Sequence, residues 1–270
     1  MTKQKTKNHI FVVLAYKESA YLEECIKSVR AQKDCSEAII FTTTPNDYIL
    51  KLAEKYKLRV VTGKHTSIGG DFDAAIEAGC NNSDCELVTI AHQDDIYDEG
   101  YSRAVQEGFA KSKKNALIVF TDYYEIKDKG KDYSNANLRI KRVLLFWLRF
   151  KCLQGTRFAK RMSLRFGDAI SCPAVTFNVN KVKTPLFQSD LRCDVDWHAW
   201  EKLSREKGKF VFVSQKLMGH RIHEESETTK TIEDNRRTLE DYEILSRFWP
   251  KSIAKLIARI YKKSEKNNQA

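Results

Sequence analysis

The chain has 270 residues, 42% of them hydrophobic, and its 47 Lys and Arg against 36 Asp and Glu give a formal charge of +11. That length and apolar content suit one large α/β domain, or one domain with an appendage, and exclude wholesale disorder. The seven cysteines (Cys25, Cys35, Cys80, Cys85, Cys152, Cys172, Cys193) are odd in number and scattered without a CxxC, which argues against a disulfide framework or a zinc ribbon and for a reducing cytoplasm.

Ile10 to Ala15 reads as a first strand, followed by Tyr16-Lys17-Glu18. Ser19 is a candidate N-cap for a helix to about Ala31, with Leu22, Cys25, Ile26 and Val29 at helical spacing. Ala38 to Thr42 reads as a second strand, and Thr44-Pro45 opens the next helix with Thr at the cap and Pro in the first position. Leu58 to Thr62 is a third strand, and Gly69-Gly70 leads into a helix to about Ala78. A helix from about Asp98 to Ser112 precedes a fifth strand, Ala116 to Thr121, that ends on Asp122. This alternation predicts an α/β fold with a mostly parallel sheet flanked by helices.

The fourth strand, Leu87 to Ala91, runs into His92-Gln93-Asp94-Asp95-Ile96-Tyr97. Its apolar run suits a strand covered on both faces, which puts Asp94 and Asp95 at the carboxyl edge of the sheet, where ligands bind in open α/β folds. Two carboxylates and a histidine are donors of the kind that a divalent cation on a diphosphate takes. The alternative is a solvated turn, or a cap for the helix near Asp98.

Residues 139–166 break the pattern, because Val143 to Phe150 is almost wholly apolar and is flanked by cations on both sides. Residues 139–165 carry nine cations and no acid. Ile170 to Val179 reads as a strand, Asp194 to about Lys207 as a helix, and Phe210 to Val213 as a strand followed by Gly219-His220-Arg221-Ile222-His223. Thr231 to Phe248 reads as a helix, and after Pro250 the tail is a basic amphipathic helix with Ile253, Leu256, Ile257, Ile260 and Tyr261 on one face. The first apolar run is too short for a secretory signal or a membrane span.

Four of these stretches resemble family 2 glycosyltransferases of the GT-A fold. Phe11 to Glu18 resembles the family's first strand with its TYNE-like tetrapeptide, and Tyr21-Leu22-Glu23-Glu24-Cys25-Ile26 resembles the helix after it. Ala91 to Tyr97 resembles the DQDDIW form of the DXD region, and Val195-Asp196-Trp197 resembles the later ED motif. The resemblance spans roughly 9–225 and implies an inverting, metal-dependent transfer of a sugar from a nucleotide-sugar donor, UDP- or dTDP-linked, to a saccharide or lipid-linked acceptor. It implies Asp196 as catalytic base and Mn²⁺ or Mg²⁺ held by Asp94, with His92, Asp95 and His223 as further candidates. Ala15, Tyr16, Glu18, Thr42, Thr43, Thr44, Gly70, Gln93, Asp94 and Arg221 would line the donor nucleotide. Three departures stand out: threonines at 42–44 replace the usual aspartates, His92 replaces the first acid of DXD, and Val195 replaces the Glu of ED.

The chemistry of the residues agrees. A departing diphosphate needs its charge neutralised, for which a cation on Asp94 and donors such as Arg221 and His223 are suited. An acceptor hydroxyl must lose a proton, and Asp196 at a helix start is a candidate base; it is equally a candidate cap, with Asp194 the better one. His220 to His223 also reads as an alternating strand, and Asp71 and Asp73 as helix N-terminal acids. Gly70 permits close backbone approach to a ligand, or simply a turn. Cations interleaved with Leu, Phe and Trp in 139–166 and 251–263 suit an anionic membrane surface, with an ordinary solvated helix pair as the alternative; nothing points to nucleic acid. The expected organisation is a basic tail over 1–8, a GT-A domain over 9–225 with its nucleotide half at 9–125 and its acceptor half at 126–225, and basic C-terminal helices over 226–270. The expected place is the cytoplasm, on the inner face of the plasma membrane, in bacterial cell-surface glycan synthesis. A nucleotidyltransferase and a non-catalytic relative that kept the fold are the competing readings.

Overall fold

The computed structural model describes residues 8–33, 36–223 and 236–268, and their side chains apart from 36 and 261–268. The expected basic tail (except Asn8), Cys35, the expected boundary at 225 and the expected helix start at Thr231 lie outside the described residues, as do the side chains of Tyr261 and Lys262. In chain order the elements are β1 (His9–Ala15), α1 (Leu22–Arg30), β2 (Ser36–Thr42), α2 (Asp47–Tyr56), β3 (Arg59–Thr62), α3 (Ile68–Asn81), β4 (Leu87–His92), β5 (Ile96–Tyr97), α4 (Tyr101–Lys111), β6 (Ala116–Lys127) and β7 (Gly130–Asp132). There follow α5 (Ala136–Leu144), a 3₁₀ turn over Leu145–Arg149, α6 (Arg157–Met162), a 3₁₀ turn over Cys172–Ala174, β8 (Val175–Asn178), α7 (Val195–Arg205), β9 (Lys209–Arg221), α8 (Arg236–Leu245) and α9 (Lys251–Asn268).

Among the described residues the strands form one sheet in the order β3-β2-β1-β4-β8-β6-β9-β5, with β7 on β6. β3, β2, β1 and β4 are mutually parallel. β8 runs antiparallel to both β4 and β6, so the direction is restored across it, and β9 continues parallel to β6. The pleat sends alternate side chains of β1 to opposite layers. Ile10 and Val12 pack with Phe72 and Ile76 of α3 and with Trp197 and Trp200 of α7 in one core, whereas Phe11 and Val13 pack with Cys25 and Ile26 of α1 and Val105 of α4 in the other. α3 lies so close to the sheet that a Cβ on Gly79 would stand 2.9 Å from Cγ1 of Val88.

A polar ladder crosses the middle of the sheet. His9 Nδ1 and Nε2 bond Ser102 Oγ (2.9 Å) and Thr89 Oγ1 (2.8 Å). Thr89 reaches Thr176 Oγ1 at 2.7 Å, and the Tyr101 hydroxyl lies 3.1 Å from the same oxygen. Each member of this chain is fully buried and therefore needs these bonds. They fix β1, β4, β8 and α4 in one arrangement.

Several element ends differ from expectation, each for a local reason. Asn46, not Thr44, caps α2, its side chain accepting the Ile49 N–H at 3.0 Å. Thr44 Oγ1 instead accepts the N–H of Lys17 at 2.6 Å. Ser19 makes a turn before α1, its oxygens accepting from Tyr21 and Leu22, and the cap position falls on Tyr21. The expected fifth strand extends through Asp122 to Lys127, because β9 pairs along its whole length with bulges near Asp122. The strand expected over 170–179 is shortened to β8 by the 3₁₀ turn at Pro173. Asp194 sits at the cap position of α7 without making the capping bond. In α9 the small residues Ala254 and Ala258 face inward, and Ile253, Leu256 and Ile260 are exposed.

Candidate active site

The carboxyl ends of β1, β2 and β4 lie side by side, with Ala15 opposite Thr42 and Leu14 opposite His92. This edge brings together most of the donor-site residues expected from sequence. The Gln93 amide accepts from the Tyr16 N–H at 2.9 Å and donates to the Tyr16 carbonyl at 3.1 Å, so it clamps the loop after β1 and leaves its amide less available to a nucleotide. The Tyr16 ring, 42% exposed, lies 6.4 Å from the His65 ring between centroids. Thr42 is fully buried and its Oγ1 accepts the Thr44 N–H, so of the three threonines it faces inward. Glu18 is exposed. Gly70 is not an open approach, since a Cβ there would stand 2.1 Å from Thr66 Oγ1; on Gly69 it would meet the Phe187 carbonyl oxygen at 2.4 Å. The paired glycines serve close packing at the start of α3.

Asp71 and Asp73 are not merely acids at a helix start. Asp71 accepts from His65 Nδ1 (2.7 Å), Thr43 Oγ1 (3.5 Å) and the Thr66 N–H (3.4 Å), which ties the loop after β3 to the loop after β2. Asp73 collects the N–H groups of Leu186, Phe187 and Gln188. Burial raises the Asp73 carboxyl, against those three bonds.

The acidic turn is neither solvated nor a helix cap. Asp95 is fully buried, and Oδ1 accepts from the Arg221 N–H (2.9 Å) and lies 3.1 Å from His220 Nδ1. The cap position of α4 belongs to Gly100. Asp94 Oδ2 lies 3.0 Å from His223 Nε2. Burial works to raise the Asp94 carboxyl, but the His92 and His223 imidazoles outweigh it and hold it below its ordinary value. His220 is shifted the other way in charge terms: burial opposes its cation, Asp95 and Asp94 favour it, and its value lies above the usual one. His92, Asp94 and Asp95 each offer a donor atom within 4.8 Å of the others. Nε2 of His92 and Oδ2 of Asp95 are buried without a hydrogen-bond partner among the described residues. Two orphaned donors beside a third are costly unless something binds them, so the donor set fits a divalent cation. His223 bonds Asp94 rather than joining that set. The Arg221 guanidinium lies over the Tyr21 ring at 4.5 Å and donates to the Asp94 carbonyl (2.9 Å) and Glu24 (2.5 Å). Its ties are to the turn and to α1.

Asp196 lies in the first turn of α7, half-buried, with Oδ1 accepting the Trp197 N–H at 2.8 Å. Asp168 comes to the same place without any mark in the sequence. Trp197 and Trp200 donate from Nε1 to the Leu164 and Ile170 carbonyls (3.0 and 3.1 Å), which pins the loop carrying Asp168 onto the helix carrying Asp196. Burial first, and then the Asp196 carboxylate, push Asp168 well above the carboxylate range, partly offset by Lys141 of α5. The loop entering α7 is set by Glu240 of α8, which accepts the N–H groups of Arg192 (3.0 Å), Cys193 (2.7 Å) and Asp194 (3.2 Å).

Comparison with known proteins bears on the family and the fold. The family model described as "Glycosyl transferase family 2" matches residues 10–167. No curated protein matches the chain. Among solved structures, residues 1–349 of TarS from S. aureus align with a TM-score of 0.59 at 12% identity, over 93% of this chain and 69% of that one. Against the longer TarS structure the covered share of that chain is 42%. The mannosyltransferase PcManGT from Pyrobaculum calidifontis, in complex with GDP-Man and Mn²⁺, gives 0.58 at 12% identity over 94% and 73%. Glucosyl-3-phosphoglycerate synthase from Mycobacterium tuberculosis, in complex with Mn²⁺, UDP-glucose and phosphoglyceric acid, gives 0.55 at 14% identity over 90% and 80%. At these identities the likeness is one of fold, and the fold is GT-A.

Proposed function

The chain belongs to glycosyl transferase family 2, and from that premise we propose that it transfers a sugar, with inversion, from a nucleotide-diphosphate donor to an acceptor hydroxyl. The observation that carries the reading is the pair of buried, unpartnered donor atoms on His92 and Asp95 beside Asp94 at the carboxyl edge of the sheet. His92, Asp94 and Asp95 would hold Mn²⁺ or Mg²⁺, which supplies positive charge to a departing diphosphate. Tyr16, Thr43, Thr44, His65 and Asp71 would line the nucleotide. The threonines hydrogen-bond a base edge without charge, and a UDP- or dTDP-sugar is the donor proposed. Solved structures of two relatives, TarS and glucosyl-3-phosphoglycerate synthase, hold UDP-GlcNAc and UDP-glucose respectively.

Asp196 would take the proton of the attacking hydroxyl, and Asp168, whose carboxyl is raised by burial and by Asp196, would orient it. A single base with direct attack at the anomeric carbon gives inversion. The acceptor is a saccharide or a lipid-linked saccharide of bacterial cell-surface glycan synthesis. Residues 9–225 would be the catalytic domain and 226–270 its helical appendage. The exposed apolar residues among cations in 139–166 and 251–260 support contact with an anionic inner leaflet. No helix among the described residues is long and apolar enough to cross a membrane.

The test is a thermal-shift screen of nucleoside diphosphates with and without Mn²⁺, since a ligand of the folded state raises its melting temperature. Stabilisation by a uridine or thymidine diphosphate that requires the cation is the expected result. No cation-dependent shift with any nucleotide would overturn the reading.

A further inference from the structure

A cavity of about 330 Å³ lies against α6, lined by Arg157, Phe158, Arg161, Met162, Arg165 and Phe248. The helical path continues past α6, with the Arg165 N–H donating to the Arg161 carbonyl at 3.0 Å. Arg157, Arg161 and Arg165 therefore recur one turn apart and present three guanidinium groups along one wall. Among the described residues, Arg161 is the one of the three that pairs with a carboxylate. That carboxylate, Glu201, meets Arg161 (2.7 Å) and Arg205 (2.7 Å) and lies 4.0 Å from Arg247, which pairs with Glu243 at 2.7 Å. Arg165 stacks on the Trp249 ring at 3.6 Å, and its Nε is buried without a hydrogen-bond partner. Arg157 is exposed. Planar forks of this kind match the oxygens of a phosphate.

The rest of the wall is apolar, and it continues outward. The Phe158 ring contacts Trp147 (5.2 Å between centroids), Trp147 contacts Phe146 (5.5 Å), and Phe146 contacts Phe150 (5.2 Å). Phe146 and Phe158 are 48% and 57% exposed, an arrangement that costs free energy in water. Arg149 and Lys151 stand exposed beside this ridge. On the other rim Phe166 packs on Trp249, and α9 begins after Pro250 with Leu256 and Ile260 about as exposed as Phe158. Guanidinium groups at depth, aromatic rings around them and a basic amphipathic helix alongside match the layers of a membrane interface, with phosphate and acyl boundary at one level.

We propose that this cavity seats the phosphate of an anionic phospholipid, with Arg157, Arg161 and Arg165 on its oxygens and Phe158, Met162 and Phe248 against the glycerol and first acyl methylenes. This deepens, and rests on, the proposal that 139–166 faces a membrane. It makes α6 the anchoring point and the aromatic ridge and α9 the flanking contacts.

The test is flotation of the full chain with vesicles of phosphatidylcholine alone and of phosphatidylcholine with phosphatidylglycerol. Wild type should float with the mixed vesicles only, and inorganic phosphate should not release it. Arg157→Glu should weaken partitioning by about tenfold, and Phe158→Ser should weaken it as well, while Lys51→Glu on exposed α2, with the same change in net charge, leaves it unaltered. Melting curves of the variants verify the fold, and Phe158→Ser keeps every arginine if Arg157→Glu fails to fold. Wild type that floats with neither vesicle would overturn both the membrane reading and this site. Wild type that floats while Arg157→Glu and Phe158→Ser partition like it would overturn the cavity alone, as would release by inorganic phosphate.

Discussion

His223 Nε2 stands 3.0 Å from Asp94 Oδ2, so the end of β9 is joined to the acidic turn after β4 by a side-chain bond across the sheet edge. The bond holds Asp94 in place while its neighbours His92 and Asp95 keep unpartnered atoms. Asp94→Ala should abolish cation-dependent donor binding and turnover, because it removes a ligand. His223→Ala should leave the ligand and loosen it, weakening Mn²⁺ by about tenfold, the lower end of what outer partners contribute. Calorimetric titration of Mn²⁺ with a nucleoside diphosphate into both variants separates the two effects, and equal losses would contradict the division of roles.

Asp196→Asn should retain donor affinity and slow transfer by about 10²–10⁴-fold, the usual contribution of a general base. Asp168 distinguishes itself in a second pair of variants. Burial and the Asp196 carboxyl raise the Asp168 carboxyl, so the neutral amide of Asp168→Asn should keep most of the activity, whereas Asp168→Leu should lower kcat with little change in KM. Steady-state kinetics on the three proteins would show it.

Glu240→Gln should act on the catalytic loop from outside it. Replacing one carboxylate oxygen by an NH₂ sets a donor against the N–H groups of Arg192, Cys193 and Asp194. A lost set of charge-assisted bonds of this kind costs about 1.5–3 kcal/mol, seen as a lower urea midpoint. Transfer should fall more than donor binding, because the loop leads into Asp196 and not to the nucleotide edge.

Acid stability should report on His9. Burial lowers its imidazole from 6.5 to about 3, so the folded state keeps it neutral while the unfolded chain takes up a proton below its own value. The stability this gives is complete above about pH 6.5 and is lost as pH falls toward 3, at about 1.4 kcal/mol per pH unit. Between about pH 6.5 and 5 the loss from His9 alone is about 2 kcal/mol. His9→Gln should be less stable at neutral pH yet show a shallower fall on acidification, measured by urea unfolding at both values. An unchanged slope would mean that His9 is not the group responsible.

The alternation of strands and helices, and the place of Asp94 and Asp95 at a strand's carboxyl end, were legible because they rest on local quantities: hydrophobic period, turn residues and chain order. Leu22, Cys25, Ile26 and Val29 are buried on α1 as their spacing required. Helix starts were less legible, since Ser19, Thr44 and Asn46 all have capping side chains and tertiary partners, such as Lys17 for Thr44, choose among them. In α9 the period marked the apolar stripe but not the inward contacts, because a periodic pattern does not say which residues the neighbouring helix can approach. Small Ala254 and Ala258 allow closer contact than Ile253 or Leu256.

By itself the sequence determined the fold class and the identity of the acidic turn, for both follow from the order and period of residues along the chain. Only the tertiary structure decided that Asp168 stands with Asp196, that Glu240 holds the loop ahead of it, and that Arg157, Arg161, Arg165 and Phe248 enclose one cavity. Each of these joins residues that no local pattern relates. A carboxyl is raised, or a guanidinium paired, by what other parts of the chain bring against it, and that becomes defined when the sheet and its flanking helices close.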